Sequence, residues 1–283
     1  MRSDIGEKVY KFYQNIHFNE SEDSHDSNLP PDPKMVLKQQ FLPSFFNEIK
    51  KSTANKKVKI VELGCGVGWL SACIALVFPN ATVRGLDFSD RALMQASLLK
   101  EKNSISNVEF SKFDLVKDSF ENLEIYDFII STGVLHHTGN MEKILGNLHN
   151  VSTQRSSLFL GLYHLYKRAP FLQEFTNSEK KNSDSEMFAR FKTILPSTFD
   201  DVRAHSWFED QVKHPHETQH TVGEIVNLTT KRWAHVSNSI TGQNLPEFNA
   251  LLKVEKAQEL IAKNNFKNNI YDPGFFLMHL KRK

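Results

Sequence analysis

From Val58 onward the apolar and polar positions fall into a repeating rhythm. VKIVEL is a short, β-branched apolar run that ends in glycines. TVRGLDF, NVEFSKFD, YDFIISTG and SSLFLGLYHL are runs of the same kind, and their length suits buried strands. Between them lie WLSACIALVF, DRALMQASLLKEKN and MEKILGNLHNV, whose length and spacing suit helices. Strands alternating with helices predict an α/β fold with a parallel sheet covered on both faces.

The flanks read differently. The first forty residues join an amphipathic piece, VYKFYQNIHF, to the polar segment NESEDSHDSNLPPDPK. The double proline predicts a break before one helix over residues 35–50. After Tyr166 the rhythm stops, and residues 167–218 are rich in Phe, Lys and Ser without a strand pattern. A structureless loop of that length is uncommon, so a helical lid is expected. TVGEIVNLTTKRW then reads as a helix opening on a Thr221-x-x-Glu224 capping box. WAHVSNSI, PEFNALLKVEKAQELIAKNN and GFFLMHLKRK complete the chain as strand, helix and strand. The predicted organisation is an N-terminal helical cap segment (residues 1–50), a ligand-binding core (51–166), a helical lid (167–220) and the rest of the core (221–283).

Composition narrows the function classes. The 283 residues carry 35 basic and 33 acidic side chains, a formal charge of +2. That balance offers no electrostatic case for nucleic acid or an anionic membrane. Cys65 and Cys73 are the only cysteines, too few for a disulfide framework and consistent with a reducing compartment. Neither a secretion signal nor an apolar run of spanning length stands out. The expectation is a soluble, cytoplasmic protein.

The strongest chemical signal is VELGCGVGWL. Glu62 closes the first strand, and Gly64, Gly66 and Gly68 follow at alternate positions. Such glycines let backbone turn tightly and approach a ligand. A dinucleotide fingerprint would need G-x-G-x-x-G, but the third glycine falls one residue early and Trp69 follows it. Asp87 ends the second strand, where a carboxylate can accept both hydroxyls of a ribose. Asp114 ends the third, within reach of an adenine amine. Three acids at the carboxyl ends of successive strands occupy the rim where open α/β sheets bind ligands.

E-x-G-x-G-x-G, then Asp87, then Phe113-Asp114, then YDFIISTGVLHHT together resemble the class I S-adenosylmethionine-dependent methyltransferases. The resemblance covers about Val58 to His164. It implies a Rossmann-like seven-stranded sheet, mostly parallel with the last strand antiparallel. It also implies S-adenosyl-L-methionine as cofactor and a small-molecule methyl acceptor, the GVLHH motif being typical of that type. By the same resemblance, Glu62 and the loop with Gly64, Cys65, Gly66 and Gly68 hold the methionine moiety. Asp87 and Phe88 hold the ribose end, and Phe113, Asp114 and Leu115 the adenine. Thr132 and Gly133 lie near the sulfonium. FYQNIHF and WFEDQVKHPHETQHT carry a weaker resemblance to a bacterial subset of the family.

His136 and His137 follow the fourth strand and are candidate catalytic bases, since an imidazole titrates near neutrality; the alternative is a ring that orients the loop. Tyr163, His164 and Tyr166 end the fifth strand and are expected to face substrate, or in part to fill core. A second motif complicates the picture. His216-Glu217-Thr218-Gln219-His220 spells H-E-x-x-H, which binds zinc in peptidases when it lies within a helix. Pro215 before it and the helix start at Thr221 after it predict a loop instead. His214, His216, Glu217 and His220 are then candidates to line the acceptor pocket, by polar contact, through a metal holding substrate, or by fixing the lid. Trp207, Phe208, Phe171, Phe175, Phe188 and Phe191 are expected to pack the lid onto the sheet. Competing readings are a methyltransferase acting on tRNA or protein, a non-catalytic S-adenosylmethionine-binding module, and a zinc hydrolase. No metal is assigned.

Overall fold

A computed structural model describes residues 4–15, 29–175 and 183–283. The polar stretch 16–28, part of FYQNIHF, and residues 176–182 of the expected lid lie outside the described residues.

Seven strands form one sheet in the order β3-β2-β1-β4-β5-β7-β6. They are β1 (Val58–Leu63), β2 (Ala81–Asp87), β3 (Val108–Lys112), β4 (Tyr126–Thr132), β5 (Ser152–Tyr163), β6 (Trp233–Asn238) and β7 (Phe275–Arg282). Only β7 runs against its neighbours, pairing antiparallel with both β5 and β6. The first three strands step outward from β1 in one direction and β4 and β5 in the other, so the chain order reverses between β1 and β4. In open sheets that switch point is where ligands bind.

The central strands β1, β4 and β5 are buried on both faces, which explains continuous apolar runs such as Ile129-Ile130 and Leu158-Phe159-Leu160 in place of alternation. On one face, α4 (Trp69–Val77) and the N-terminal helices α2 (Pro33–Gln40) and α3 (Pro43–Asn55) share an apolar cluster with β1, β2 and β4. Helix α5 (Asp90–Lys102) contributes Leu99 to the same cluster. On the other face lie α6 (Met141–Asn147), α10 (Val222–Thr229) and α11 (Phe248–Lys267).

The single helix expected over residues 35–50 is two helices. Leu42 is extended (φ −60°, ψ 141°) because it precedes Pro43, whose ring disfavours the helical conformation at the residue before it. Pro43 then serves at the first turn of α3, where its missing N–H costs nothing. The capping box expected at Thr221 is half made. Thr221 Oγ1 accepts from Glu224 N at 3.1 Å, but the Glu224 carboxylate turns back to His220 Nδ1 at 3.0 Å.

Between β5 and α10 the described residues form three helices, α7 (Leu165–Phe175), α8 (Asp184–Ile194) and α9 (Asp201–Val212). Their aromatics do not pack onto the sheet. Phe171, Phe175, Phe191 and Phe208 form a separate cluster with Met187, Ile194 and Phe266 of α11, and Phe188 and Trp207 border it. The sheet faces are already covered, so the insertion builds its own small core against α11.

Phe45 ties α3 to the sheet. It is fully buried, stacked on Phe159 at 4.7 Å and edge-on to Phe128 at 5.7 Å. Phe45→Ala is expected to cost about 3–5 kcal/mol in urea unfolding, as for other large-to-small core changes.

Candidate active site

The site starts at the tips of β1 and β2. Gly64, Gly66 and Gly68 all have positive φ, at 76°, 52° and 78°. The three are constrained for different reasons. A Cβ at Gly64 would lie 2.4 Å from Val134 Cγ2, and one at Gly68 would lie 2.5 Å from Phe110 Cζ. A Cβ at Gly66 would meet nothing within 4 Å. Gly64 and Gly68 are therefore packing glycines, whereas Gly66 lines open space. Cys65 is buried, its thiol pushed up by burial, so it acts as filler rather than as a nucleophile.

Two carboxylates border this loop. Glu62 accepts from Ser71 Oγ at 2.5 Å and is pushed up to about 8 by burial, opposed only in part by the Ser71 hydrogen bonds. Asp87 accepts from Gly66 N at 2.8 Å and Ser89 N at 2.9 Å, and burial raises it as well. No cation pairs with either acid among the described residues. Two neighbouring, dehydrated carboxylates without a counter-ion make a place where a positively charged group is welcome.

At the β3 tip, Asp114 is partly exposed and Oδ1 accepts from Val116 N at 3.0 Å, closing the local turn. Phe113 and Leu115 on either side are buried, and Phe113 N donates to Asp87 O at 2.8 Å. Phe88 is half-buried and faces outward to Tyr10 at 5.6 Å and Tyr13 at 6.1 Å. These tyrosines belong to α1 (Asp4–Asn15), which lies over the rim. Ile5 meets Gly139, Phe12 meets the His214 ring at 5.0 Å, and Tyr13 donates to Asp210 Oδ1 at 2.8 Å.

At the β4 tip, Thr132 packs beside Gly161 and Gly133 turns with φ 74°. The chain then forms a short 3-10 turn, Leu135–His137. His136 is fully buried between the rings of His137 (4.2 Å) and Tyr163 (4.3 Å), and neither ring nitrogen has a hydrogen-bond partner. Burial holds it well below its ordinary value, so it is neutral. His137 bonds through Nδ1 to His216 O at 2.8 Å and stacks on His214 at 3.8 Å. Burial lowers His137 too, while the nearby Asp210 opposes the shift.

The H-E-x-x-H segment is a loop between α9 and α10, and its side chains diverge. Glu217 makes a bidentate pair with Arg168, at 3.0 Å from Nε and 2.7 Å from Nη2. Arg168 is fully buried, sandwiched between Tyr163 (3.9 Å) and Phe171 (4.0 Å), and donates further to Gln211 O and Pro273 O. His220 turns to Thr218 and Glu224. His216 is half-buried with Nε2 unpartnered. No group of three or more His, Cys, Asp or Glu is arranged to hold a metal ion among the described residues. The glutamate that a zinc peptidase would use as base is committed to an arginine.

Of the β5 residues, only Tyr163 joins the histidines, donating to Gln211 Oε1 at 2.7 Å. His164 accepts from Lys167 N through Nδ1 and turns Nε2 toward Glu255 of α11 at 3.5 Å. Tyr166 contacts the His164 ring at 6.0 Å. These two lie at the junction of β5 and α7, outside the cluster around His136. Conversely, Tyr13, Arg168, Asp210 and Gln211 belong to the cluster, and none of them is a site candidate by sequence. Their signals there are the adjacent aromatics of α1, the FYQNIHF and WFEDQVKHPHETQHT motifs that hold Tyr13, Asp210 and Gln211, and the place of Arg168 on an otherwise apolar buried face of α7.

The family model described as "Methyltransferase domain" matches residues 54–244. The chain is a class I S-adenosylmethionine-dependent methyltransferase. Among its relatives, malonyl-[acyl-carrier protein] O-methyltransferase of Bacillus anthracis is 30% identical over 39% of this chain and 39% of its own. N-methyltransferase 4 of Papaver somniferum is 34% identical over 41% of this chain and 32% of its own. The methyltransferase thus spans only two fifths or less of these curated relatives. Magnesium protoporphyrin IX methyltransferase from Synechocystis, solved with bound S-adenosylhomocysteine, shares the fold at TM-score 0.54 and 16% identity, over 99% of this chain and 96% of that one. The cofactor of the methyltransferase is S-adenosylmethionine. The rim fits it: the dry, uncompensated Glu62 suits a ligand that carries an ammonium, Asp87 offers a carboxylate that can accept from hydroxyls, and Gly66 leaves room beside them.

Two substitutions separate packing from binding at the loop. Gly68→Ala is expected to lower the melting temperature by several degrees, since its Cβ would overlap a ring and a left-handed φ is strained. Gly66→Ala is expected to retain more stability but lose S-adenosylhomocysteine affinity. Calorimetry of both variants checks the pair.

Proposed function

We propose that this methyltransferase acts on a small-molecule acceptor enclosed beneath the helical lid, by direct in-line transfer. The observation that carries this reading is the buried polar floor. His136 has two unpartnered nitrogens among Tyr163, His137 and Phe275, and the loop of His214–Thr218 closes over it. Buried polar atoms without partners are rare and mark sites completed by something else. An enclosed floor of this kind suits a small molecule better than a tRNA, and the near-zero charge agrees.

In this reading Glu62 and the loop from Gly64 to Gly68 hold the methionine moiety, Asp87 and Phe88 the ribose end, and Phe113 to Leu115 the adenine. Thr132 and Gly133 border the reacting centre. The bound cofactor supplies an already activated methyl group. The protein's part is to align the acceptor and exclude water, and such positioning supplies about 7–11 kcal/mol of barriers of this type. Helix α1, through Tyr13 and Phe12, closes the remaining side of the rim. The named relatives act on an acyl group held by a carrier protein and on nitrogen, so relatives alone do not fix the acceptor.

The experiment is fractionation. The ultrafiltrate of a lysate is expected to support S-adenosylhomocysteine release by the purified protein, and the retained tRNA and protein are not. Turnover confined to the macromolecular fraction overturns the reading.

The acids give a second prediction. Glu62, raised to about 8 in the free protein, is protonated at pH 7; a cationic ligand beside it lowers that value and expels the proton. Calorimetry of S-adenosylhomocysteine in buffers of different ionisation enthalpy is expected to show release of up to about one proton near pH 7, fading above pH 8. Glu62→Gln abolishes the release. Asp87→Ala weakens affinity by at least ~1 kcal/mol.

A further inference from the structure

Hydrogen bonds fix the tautomers of two stacked imidazoles. His137 Nδ1 faces the carbonyl oxygen of His216 at 2.8 Å. A carbonyl only accepts, so Nδ1 carries the proton and Nε2 a bare lone pair. His214 is the reverse case. Its Nδ1 lies 3.1 Å from the backbone N of His216, which only donates, so Nδ1 is bare and Nε2 carries the proton. That Nε2–H is buried without a partner. Burial holds both rings below their ordinary value, His214 down to about 2, so both are neutral. One residue, His216, thus sets opposite tautomers in two rings 3.8 Å apart.

The pair also lies at the cofactor rim. Tyr13 touches the His214 ring at 5.5 Å and the Phe88 ring, next to Asp87, at 6.1 Å. His136 and His137 follow Gly133 at the β4 tip.

Resting on the methyltransferase reading above, we propose that His137 Nε2 and His214 Nε2–H form a complementary acceptor–donor pair that receives a hydroxyl group, making this an O-methyltransferase. The chemistry selects oxygen: a neutral nitrogen lacks the second lone pair, and a thiol sulfur accepts the His214 hydrogen bond only weakly. A hydroxyl oxygen has two lone pairs: one accepts from His214 Nε2–H and the other attacks the methyl carbon, while the hydroxyl proton passes to His137 Nε2. The O–C bond forms as the C–S bond breaks, its electrons staying on sulfur. The positive charge that leaves sulfur reappears on the His137 imidazolium. Asp210 and Glu217 lie close enough to favour that charge, and Arg168 opposes it. A neutral amine has a single lone pair, which the His214 donor would occupy. A carboxylate has no proton to give, and the bare His137 nitrogen would repel it.

The test has two arms on the full chain. In the first, protein labelled with ¹⁵N-histidine and bound to S-adenosylhomocysteine is examined by long-range ¹H–¹⁵N correlation, with assignments from His137→Gln and His214→Phe. The expected result is His137 protonated at Nδ1 and His214 at Nε2. The opposite tautomer at either ring overturns the proposal. In the second, phenol, aniline and thiophenol are compared as acceptors by release of S-adenosylhomocysteine. Phenol is expected to be preferred by at least about tenfold, with kcat falling about 10²-fold or more in His137→Gln and about 10²–10³-fold in His214→Phe. Cofactor affinity should stay within about twofold in both. Preference for aniline or thiophenol, or an unchanged kcat in either variant, overturns it. If no acceptor in the set turns over, the tautomers decide. Loss of S-adenosylhomocysteine binding by the unaltered chain would instead bring down the reading on which this one rests.

Discussion

Two carboxylates kept dry at adjacent strand tips set the terms for the rest of the molecule. Glu62 and Asp87 are both buried, and each keeps only neutral hydrogen-bond donors: Ser71 for one, Gly66 and Ser89 for the other. Burying a carboxylate without a cation is costly, and the raised affinity of both acids for protons reports that cost. The fold sustains it by anchoring β1 and β2 between neighbours on both sides and by cinching the glycine loop against Val134 and Phe110. In the proposed reading, a ligand that brings an ammonium to Glu62 and hydroxyl donors to Asp87 offsets that cost, so affinity and recognition come from one feature.

The second half of the site is organised by a buried arginine. Arg168 holds Glu217 and Gln211, and these fix the path of the loop that carries His214 and His216. Through the His216 backbone, that path sets the tautomers of His137 and His214. Removing one partner of such a pair leaves a buried charge and is usually worth several kcal/mol. The lid core around Phe171 and Phe191 gives Arg168 its other wall, so lid packing and pocket chemistry are one structure.

What the sequence made legible follows from how local each constraint is. The strands, the glycine loop and the acids at strand ends were readable because each depends on a few consecutive residues. The break at Leu42-Pro43 was local too, but helix periodicity masked it. Pro215 and Thr221 mark the H-E-x-x-H segment as loop, yet the fate of Glu217 depends on Arg168, far away in the chain. Tyr13 and Asp210 meet across 197 positions, and no spacing rule reveals such a pair. His164 and Tyr166 looked equivalent to Tyr163, and strand alternation is what sends His164 to the opposite side.

The most direct measurement is a crystal structure of the chain with S-adenosylhomocysteine. The ribose is expected at Asp87, the amino acid moiety beside Glu62 and Gly66, and the sulfur facing the turn that carries His136 and His137. A ligand seated elsewhere, or one whose ammonium turns away from Glu62 and whose ribose turns away from Asp87, would contradict this reading.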